Sequence, residues 1–371
     1  MTSNSPSPAR REWAPRVWEG CDFFTWLRLL ARNRFAVEPK YLYIAAVVTV
    51  VSFMQTILRW LQLGLHGEGI RRTPLPEAPI FVLGHWRTGT TLLHELLILD
   101  SRHAYPTTLQ CFEPCHFLLS EGVIEKYGNF LLPEKRPMDN MAQGWQRPHE
   151  DEFALALLGA PSTYTDFAFP NRPSLDPGSL NLQGLAPRER DRWKRIFFRF
   201  VQSLGYADAR RLVMKSPPHT ARVPVLLELF PNAKFVHLVR DPVTLFASTL
   251  NLWMSLGKKH GFQTPVQSEA LEAKVFREFR TIHESYEAAK ASIPAGNLIE
   301  VRYEEFVTDL VGNMQKIYEG LKLEGFEDVR PKLEEYAARN KSYETNKYQI
   351  TGEQRAKIAA HWGDIIAQQG Y

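Results

Sequence analysis

Cysteine is scarce: Cys21, Cys111 and Cys115 are the only three in 371 residues, so no disulfide framework holds this fold together. Cys111 and Cys115 lie four apart and can share a helix face, but no matching His or Cys cluster completes a zinc site, and buried apolar thiols are the simpler reading. The chain also lacks internal repeats and low-complexity blocks. No signal-peptide pattern opens it, because the apolar run starts late and has no small-residue cleavage site. Charge of one sign is missing too. A formal charge of +4 suits an anionic ligand in a basic pocket and is too diffuse to argue for nucleic acid. What is present is ordinary globular material: 44% hydrophobic and 23% charged residues can bury one large α/β core or two modest ones. Only Met1 to Pro8 reads as a flexible Ser/Pro tail, since it offers almost nothing apolar to offset chain entropy.

The first seventy residues read as a helical segment distinct from the rest of the chain. Phe23, Phe24, Trp26, Leu27, Leu29 and Leu30 interleave with Arg28, Arg32 and Arg34, the pattern of a basic amphipathic helix at a membrane interface or packed on a neighbouring domain. Tyr41 to Leu58 carries no charge and is just long enough to span a bilayer. Thr49, Ser52, Gln55 and Thr56 interrupt it and Arg59 comes next, so a span, a membrane-surface helix and a buried helix all stay open. These features predict a membrane-associated protein, peripheral or held by one N-terminal helix, that is otherwise cytoplasmic. Arg71 to Pro79 is Pro-rich, which places the boundary between a helical segment at 1–70 and a catalytic domain at 79–371.

From Ile80 the pattern alternates. Short apolar runs at Ile80 to Leu83, Arg211 to Met214, Lys234 to Val239 and Leu298 to Val301 read as strands. Helical spacing separates them at Thr90 to Leu99, Ala221 to Leu229 and Val243 to Leu256, which predicts an α/β fold with a P-loop-like parallel sheet flanked by helices. The stretch Asn171 to Pro187 reads as a long loop and a candidate substrate-facing lid.

Gly84-His-Trp-Arg-Thr-Gly-Thr-Thr91 follows a strand and opens a helix, so backbone N–H groups and the helix N-terminus converge on an anion in the turn. Gly84 and Gly89 permit the tight path, Thr90 and Thr91 offer hydroxyls, and Arg87 adds a fixed positive charge. The Lys of the nucleotide-hydrolase P-loop is missing, replaced by Thr90. Arg240 closes an apolar run, at the strand end where ligands bind in open α/β sheets.

Arg87-Thr-Gly-Thr-Thr91 resembles the 5′-phosphosulfate loop of the sulfotransferases that use 3′-phosphoadenosine 5′-phosphosulfate (PAPS), which leaves as 3′-phosphoadenosine 5′-phosphate (PAP). Val236-His-Leu-Val-Arg-Asp-Pro242 resembles that family's second signature, whose Arg and a Ser eight positions on contact the 3′-phosphate; here these are Arg240 and Ser248. Val301-Arg-Tyr-Glu-Glu-Phe306 is similar to the segment near the adenine and implies Tyr303 against the base. Val213-Met-Lys-Ser-Pro217 implies Lys215 at the sulfuryl group. The resemblance runs from about Pro79 to the C-terminus and is closest to the broad bacterial-type branch. It implies PAPS as donor, binding through Arg87, Thr88, Gly89, Thr90, Thr91, Arg240, Ser248 and Tyr303, with no metal.

Sulfuryl transfer needs an activated acceptor hydroxyl and a neutralised leaving oxygen. Arg87 and Lys215 supply the positive environment. For the base, the position of the family's His is occupied by Pro217. Glu113 sits where the tyrosylprotein-like branch has a carboxylate and is placed first; the cluster His149, Glu150, Asp151 and Glu152 is the rival, and His219 comes after it. Trp145, Phe153, Phe167, Phe169 and Trp253 suggest a greasy or ring-shaped hydroxyl acceptor, lipid-like or aromatic. Two other classes stay open: a P-loop kinase acting on a small hydroxyl compound, with Asp241 holding magnesium, and an inactive membrane-bound scaffold.

Overall fold

The computed structural model describes residues 16–128, 144–340 and 349–371; the Ser/Pro tail at Met1 to Pro8 lies outside them. Five strands, β1 (Ile80–Leu83), β2 (His103–Ala104), β3 (Arg211–Lys215), β4 (Lys234–Val239) and β5 (Leu298–Arg302), form one sheet in the order β2-β3-β1-β4-β5. Every pairing is parallel, as expected for strands joined by helical crossovers. β2 has no counterpart in the sequence pattern, because two residues are too few to show a period.

Strands β1, β3 and β4 are buried on both faces, whereas β5 at the sheet edge is half-buried. In β1, Ile80 and Val82 enter one apolar cluster while Phe81 and Leu83 enter the other, so the period-two alternation hides inside an uninterrupted apolar run. The first cluster packs the sheet against the helices Leu310–Gly320 and Phe326–Arg339. The second holds Trp18, Trp26 and Val48 together with Phe153, Phe197 and Phe235, so the N-terminal segment contributes to the core of the α/β body. Cys21, Cys111 and Cys115 are all free and buried there, and burial pushes the Cys115 thiol up to about 12.

Two N-terminal helices carry that contribution, Phe23–Arg32 and the long Leu42–Arg72, which is about 46 Å from end to end. The polar residues that interrupt the apolar run all turn inward. Thr49 Oγ1 accepts from Trp26 Nε1 at 2.9 Å, Thr56 Oγ1 from the Phe23 amide at 2.9 Å, and Gln62 Oε1 from the Leu118 amide at 2.9 Å. Gln55 Nε2 donates to Glu113 at 2.6 Å, and Arg59 pairs with Asp22.

The Asn171 to Pro187 stretch is irregular up to the helix Pro187–Ala207, but its middle is anchored rather than free to swing. Leu180 and Leu182 are buried, and the Ser179 and Leu180 carbonyls accept from Arg222 at 2.7 Å and 3.1 Å. Arg222 is fully buried, lies over the Trp193 ring, and pairs with the equally buried Glu152. A lid needs few buried contacts, and this segment has several.

Because Arg222 and Glu152 are both shut off from water, Glu152→Ala leaves an uncompensated buried charge and lowers stability by about 3–5 kcal/mol. Urea unfolding of the variant should show the matching drop in midpoint with little change in slope; a midpoint near that of the wild type would show that the pair is not what holds this segment.

Candidate active site

The carboxyl ends of β1, β3 and β4 meet at the middle of the sheet. β1 lies between the other two, with Val82 in register with Lys215 on one side and Val236 on the other. Chain crossovers leave in opposite directions here, which opens the crevice where ligands bind in such sheets.

The loop after β1 is built to hold its amides inward. Gly84, Arg87 and Gly89 all have positive φ, at 146°, 72° and 94°. A Cβ at Gly84 would meet Thr88 Oγ1 at 2.6 Å and the Leu238 carbonyl at 2.8 Å, and one at Gly89 would meet the Tyr303 ring at 2.5 Å. Arg87 has a Cβ and still adopts the left-handed region, a strain of about 1–2 kcal/mol. Two contacts hold it there: its Nε donates to Ser248 Oγ at 2.8 Å, and its carbonyl accepts from Arg240 at 2.9 Å. Thr88 closes the turn by donating to the His85 carbonyl at 2.7 Å, and Thr220 Oγ1 accepts from the Gly84 amide at 2.8 Å. The helix Thr90–Leu97 then starts at Gly89 with no side chain capping its first amides. A left-handed path, uncapped amides and converging cations form a donor set that matches a phosphosulfate group.

Arg240 reaches across the loop with its guanidinium 4.1 Å above the Tyr303 ring, so one face of that ring is covered by the Arg and its edge rests on Gly89. Arg87, Arg240, Ser248 and Tyr303 therefore form one network. Asp241, the candidate magnesium ligand of the kinase reading, instead caps the helix Pro242–His260 by accepting from the Val243 amide at 2.9 Å.

On the other side of the loop, Lys215 Nζ donates to Thr91 Oγ1 at 3.3 Å and to Glu150 Oε1 at 2.6 Å. Glu150 also accepts from the Tyr164 hydroxyl, which burial and the nearby carboxylate keep well above the ordinary phenol range and hence protonated. The neighbours of Glu150 are engaged as well. Asp151 accepts from Ser216 Oγ at 2.9 Å and faces His219 Nε2 at 2.7 Å, while Glu152 takes Arg222. Three successive acids thus meet three successive stations on the chain after β3. His219 is fully buried in this arrangement, and its ring is packed between Phe81 and Phe197.

Glu113 is drawn elsewhere. At the end of the short helix Thr108–Phe112 its carboxylate meets Gln55 of the long N-terminal helix and His116 Nε2 at 3.3 Å. The carboxylate joined to Lys215 is Glu150. His94 donates to the Val213 carbonyl at 3.1 Å, and burial lowers its pKa to about 3. His85 is also buried, with its pKa lowered to about 4.

Of the five aromatic residues singled out, Phe153, Phe167 and Trp253 gather beside Glu150. Tyr164 lies 4.8 Å from Phe153 and 4.9 Å from Phe167, Phe167 lies 4.7 Å from Trp253, and Trp86 Nε1 donates to the Tyr164 hydroxyl at 3.0 Å. Phe169 packs on Phe262 instead, and Trp145 donates to the Gly128 carbonyl. Tyr164 and Thr220 carry no motif, and Trp86 sits inside the cradle motif without a role assigned there; only their fold neighbours identify them.

The model for the "Sulfotransferase family" matches residues 79–328. The chain belongs to that family. Over all 371 residues it is 42% identical to the omega-hydroxy-beta-dihydromenaquinone-9 sulfotransferases Stf3 of Mycobacterium bovis and Mycobacterium tuberculosis, covering 95% of each. That match includes the N-terminal helices that precede the family region. Among solved structures, sulfotransferase STF9 from Mycobacterium avium superposes with a TM-score of 0.70 at 19% identity, covering 93% of this chain and 91% of that one. STF1 from Mycobacterium tuberculosis H37Rv does so at 0.59 and 18%, covering 94% and 93%. The protein is thus a sulfotransferase, and neither the kinase nor the inactive scaffold is supported.

The Gly89 geometry yields a direct test of the cradle. Gly89→Ala combines a left-handed backbone cost of about 1–2 kcal/mol with a collision against Tyr303, so PAP affinity should fall by at least about tenfold in calorimetric titration. Unchanged affinity would mean that the ligand does not use this loop.

Proposed function

We propose that this sulfotransferase moves the sulfuryl group of PAPS onto the hydroxyl of a membrane lipid, with Glu150 as general base and Lys215 as the cation at the leaving oxygen. The observation that carries the assignment is the position of Lys215 between Thr91, at the start of the cradle helix, and Glu150. In-line transfer sets the attacking and leaving oxygens on opposite sides of one sulfur, so this pair serves the reaction when the sulfuryl group lies between them, with the acceptor on the Glu150 side and the phosphate on the Lys215 side.

Arg87, Thr88, Gly89, Thr90 and Thr91 would hold the phosphosulfate, and Arg240 with Ser248 the 3′-phosphate; Tyr303 would border the nucleotide. PAPS, when bound, supplies the sulfuryl group and departs as PAP. Before the acceptor arrives, Glu150 holds Lys215 and is itself oriented by Tyr164. An acceptor hydroxyl entering beside the aromatic wall exchanges with one of these contacts and passes its proton to Glu150 as its oxygen bonds to sulfur. Lys215, released from Glu150, turns to the phosphate oxygen that takes the electron pair of the breaking bond. No side chain in this scheme needs a metal to neutralise the phosphate, because Arg87, Lys215 and the helix N-terminus supply positive charge.

The acceptor class rests on two features. Phe153, Tyr164, Phe167 and Trp253 set an apolar wall against the proposed base, and the long N-terminal helix turns an apolar face outward. Both suit a hydroxylated isoprenoid quinone such as the one in the name of the 42% identical mycobacterial relatives.

Glu150→Gln keeps shape and hydrogen bonding but removes proton acceptance, so turnover should fall by roughly 10²–10⁴ with PAP affinity nearly unchanged. Glu113→Gln should keep most of the turnover, its carboxylate being tied to Gln55 and His116. Steady-state rates with a hydroxylated quinone decide the matter. A crippled Glu113→Gln beside an active Glu150→Gln would return the role to Glu113.

A further inference from the structure

The helix Leu42–Arg72 has the reverse of the usual polarity. A surface helix of a water-soluble domain buries its apolar stripe and exposes its polar one. Here Ser52, Gln55 and Gln62 are buried, whereas Val47, Val50, Met54, Ile57, Leu61 and Leu65, spaced three or four apart, are between 43% and 68% exposed. Phe53 and Trp60 flank this stripe at 57% and 68% exposed. The face continues onto the preceding helix, where Phe23 packs edge-on to Phe53 and Phe24 and Leu27 stand exposed.

By length and composition the helix is apolar enough to cross a bilayer. Its contacts forbid that while the body is folded. Buried positions recur from Ala45 and Val48 to Gly67 and Ile70, so one side stays against the rest of the protein along almost the whole length, on the Val17–Gly20 and Phe23–Arg32 segment and on the helices Phe117–Tyr127 and Pro187–Ala207. Crossing would strip the Gln55, Arg59 and Gln62 contacts and leave those polar groups in hydrocarbon, where each costs several kcal/mol.

Charge points to the occupant. Arg28 and Arg34 are exposed on the adjoining helix and its end, and neither forms an ion pair among the described residues. Arg34 and Phe35 both adopt left-handed backbone, at φ 55° and 54°, and Phe35 is 59% exposed. Exposed Trp and Phe beside unpaired Arg, around an aliphatic stripe, are the composition of a helix lying in a headgroup boundary. A second copy of this chain would bring Arg28 and Arg34 against their own kind or leave them idle.

We infer that this two-helix face is a monotopic docking surface, lying in the plane of an anionic bilayer without crossing it. The inference deepens the reading of a membrane-lipid acceptor, because it sets the body of the enzyme on the leaflet that holds such a lipid. Its test does not depend on catalysis. Full-length protein is floated with vesicles of phosphatidylcholine alone or mixed with phosphatidylglycerol. Wild type should float, more strongly with the anionic mixture. The combined change Val50→Glu, Phe53→Glu and Ile57→Glu should reduce the floated fraction at least about tenfold, with PAP affinity and turnover on a short soluble alcohol retained. Arg28→Glu with Arg34→Glu, which touches no core residue, should abolish only the preference for anionic vesicles. Nitroxides placed at Val47, Met54 and Leu65 should report one shallow depth. A deep middle with shallow ends would overturn the in-plane arrangement. A dimer that the triple change dissolves, without vesicle binding by wild type, would give the face to a second copy. Absence of turnover on a hydroxylated quinone presented in vesicles, by wild type that still floats, would fault the acceptor reading and leave the docking surface standing.

Discussion

Three successive carboxylates, Glu150, Asp151 and Glu152, set against Lys215, Ser216 with His219, and Arg222 form the constraint on which the rest of this structure turns. Buried charges are tolerable only when paired, so each acid dictates where its partner must lie. Burial works to raise the Asp151 carboxyl, but the facing His219 ring and the Ser216 hydroxyl outweigh it and hold the group below its ordinary range. The consequence is a fixed register between the helix Asp151–Leu157 and the end of β3. A shift of one residue in either would strand all three acids. Lys215 is thereby held within reach of the cradle, and Glu150 within reach of Lys215.

The same arrangement explains why the proposed reacting pair was only half legible in the sequence. The cradle was readable because its requirements are local: glycine where φ is positive, threonine at the helix start, a strand just before. Strands β1 and β4 were readable to the residue for a similar reason, since runs buried on both faces are apolar throughout, as in β1, or nearly so, as in β4, where His237 alone interrupts Phe235 to Val239. The proposed base is recognised by a relation between residues 65 apart, Glu150 and Lys215. Nothing in the spelling of Glu113 or Glu150 says which of them turns toward Lys215, and the capping box that starts the Thr108–Phe112 helix sends Glu113 toward Gln55. Tyr164 and Trp86 escape the same way, through contacts made only after folding.

The polar residues of the N-terminal helix carry the reverse lesson. Thr49, Ser52, Gln55 and Thr56 count against a membrane segment if the helix is weighed alone, because hydropathy sums over all sides. Once the helix is docked they face the protein and find partners, and the outward side is left apolar. A window average cannot distinguish polar residues scattered around a helix from polar residues gathered on the side that another domain will cover. The helix runs on to Arg72, well past the point where the uncharged run stops, with Arg59 paired to Asp22.

Docking and chemistry are mechanically joined rather than hinged. Gln55 holds Glu113 at the end of the Thr108–Phe112 helix; Thr107, which caps that helix, bridges to Pro148, and Glu150 lies two residues later. The Thr108 amide adds a 2.8 Å bond to the Arg147 carbonyl. The face proposed to rest on a bilayer is thus one short, hydrogen-bonded path from the proposed base, with no flexible linker between. A soluble acceptor would gain nothing from that coupling. For a lipid it matters, since a tail that stays in the leaflet limits how far the hydroxyl can rise, and only an enzyme held at fixed height and tilt can place its base at that level each time. The rigid join supplies orientation in advance of binding, which is where much of the advantage of an enzyme over dilute reactants resides.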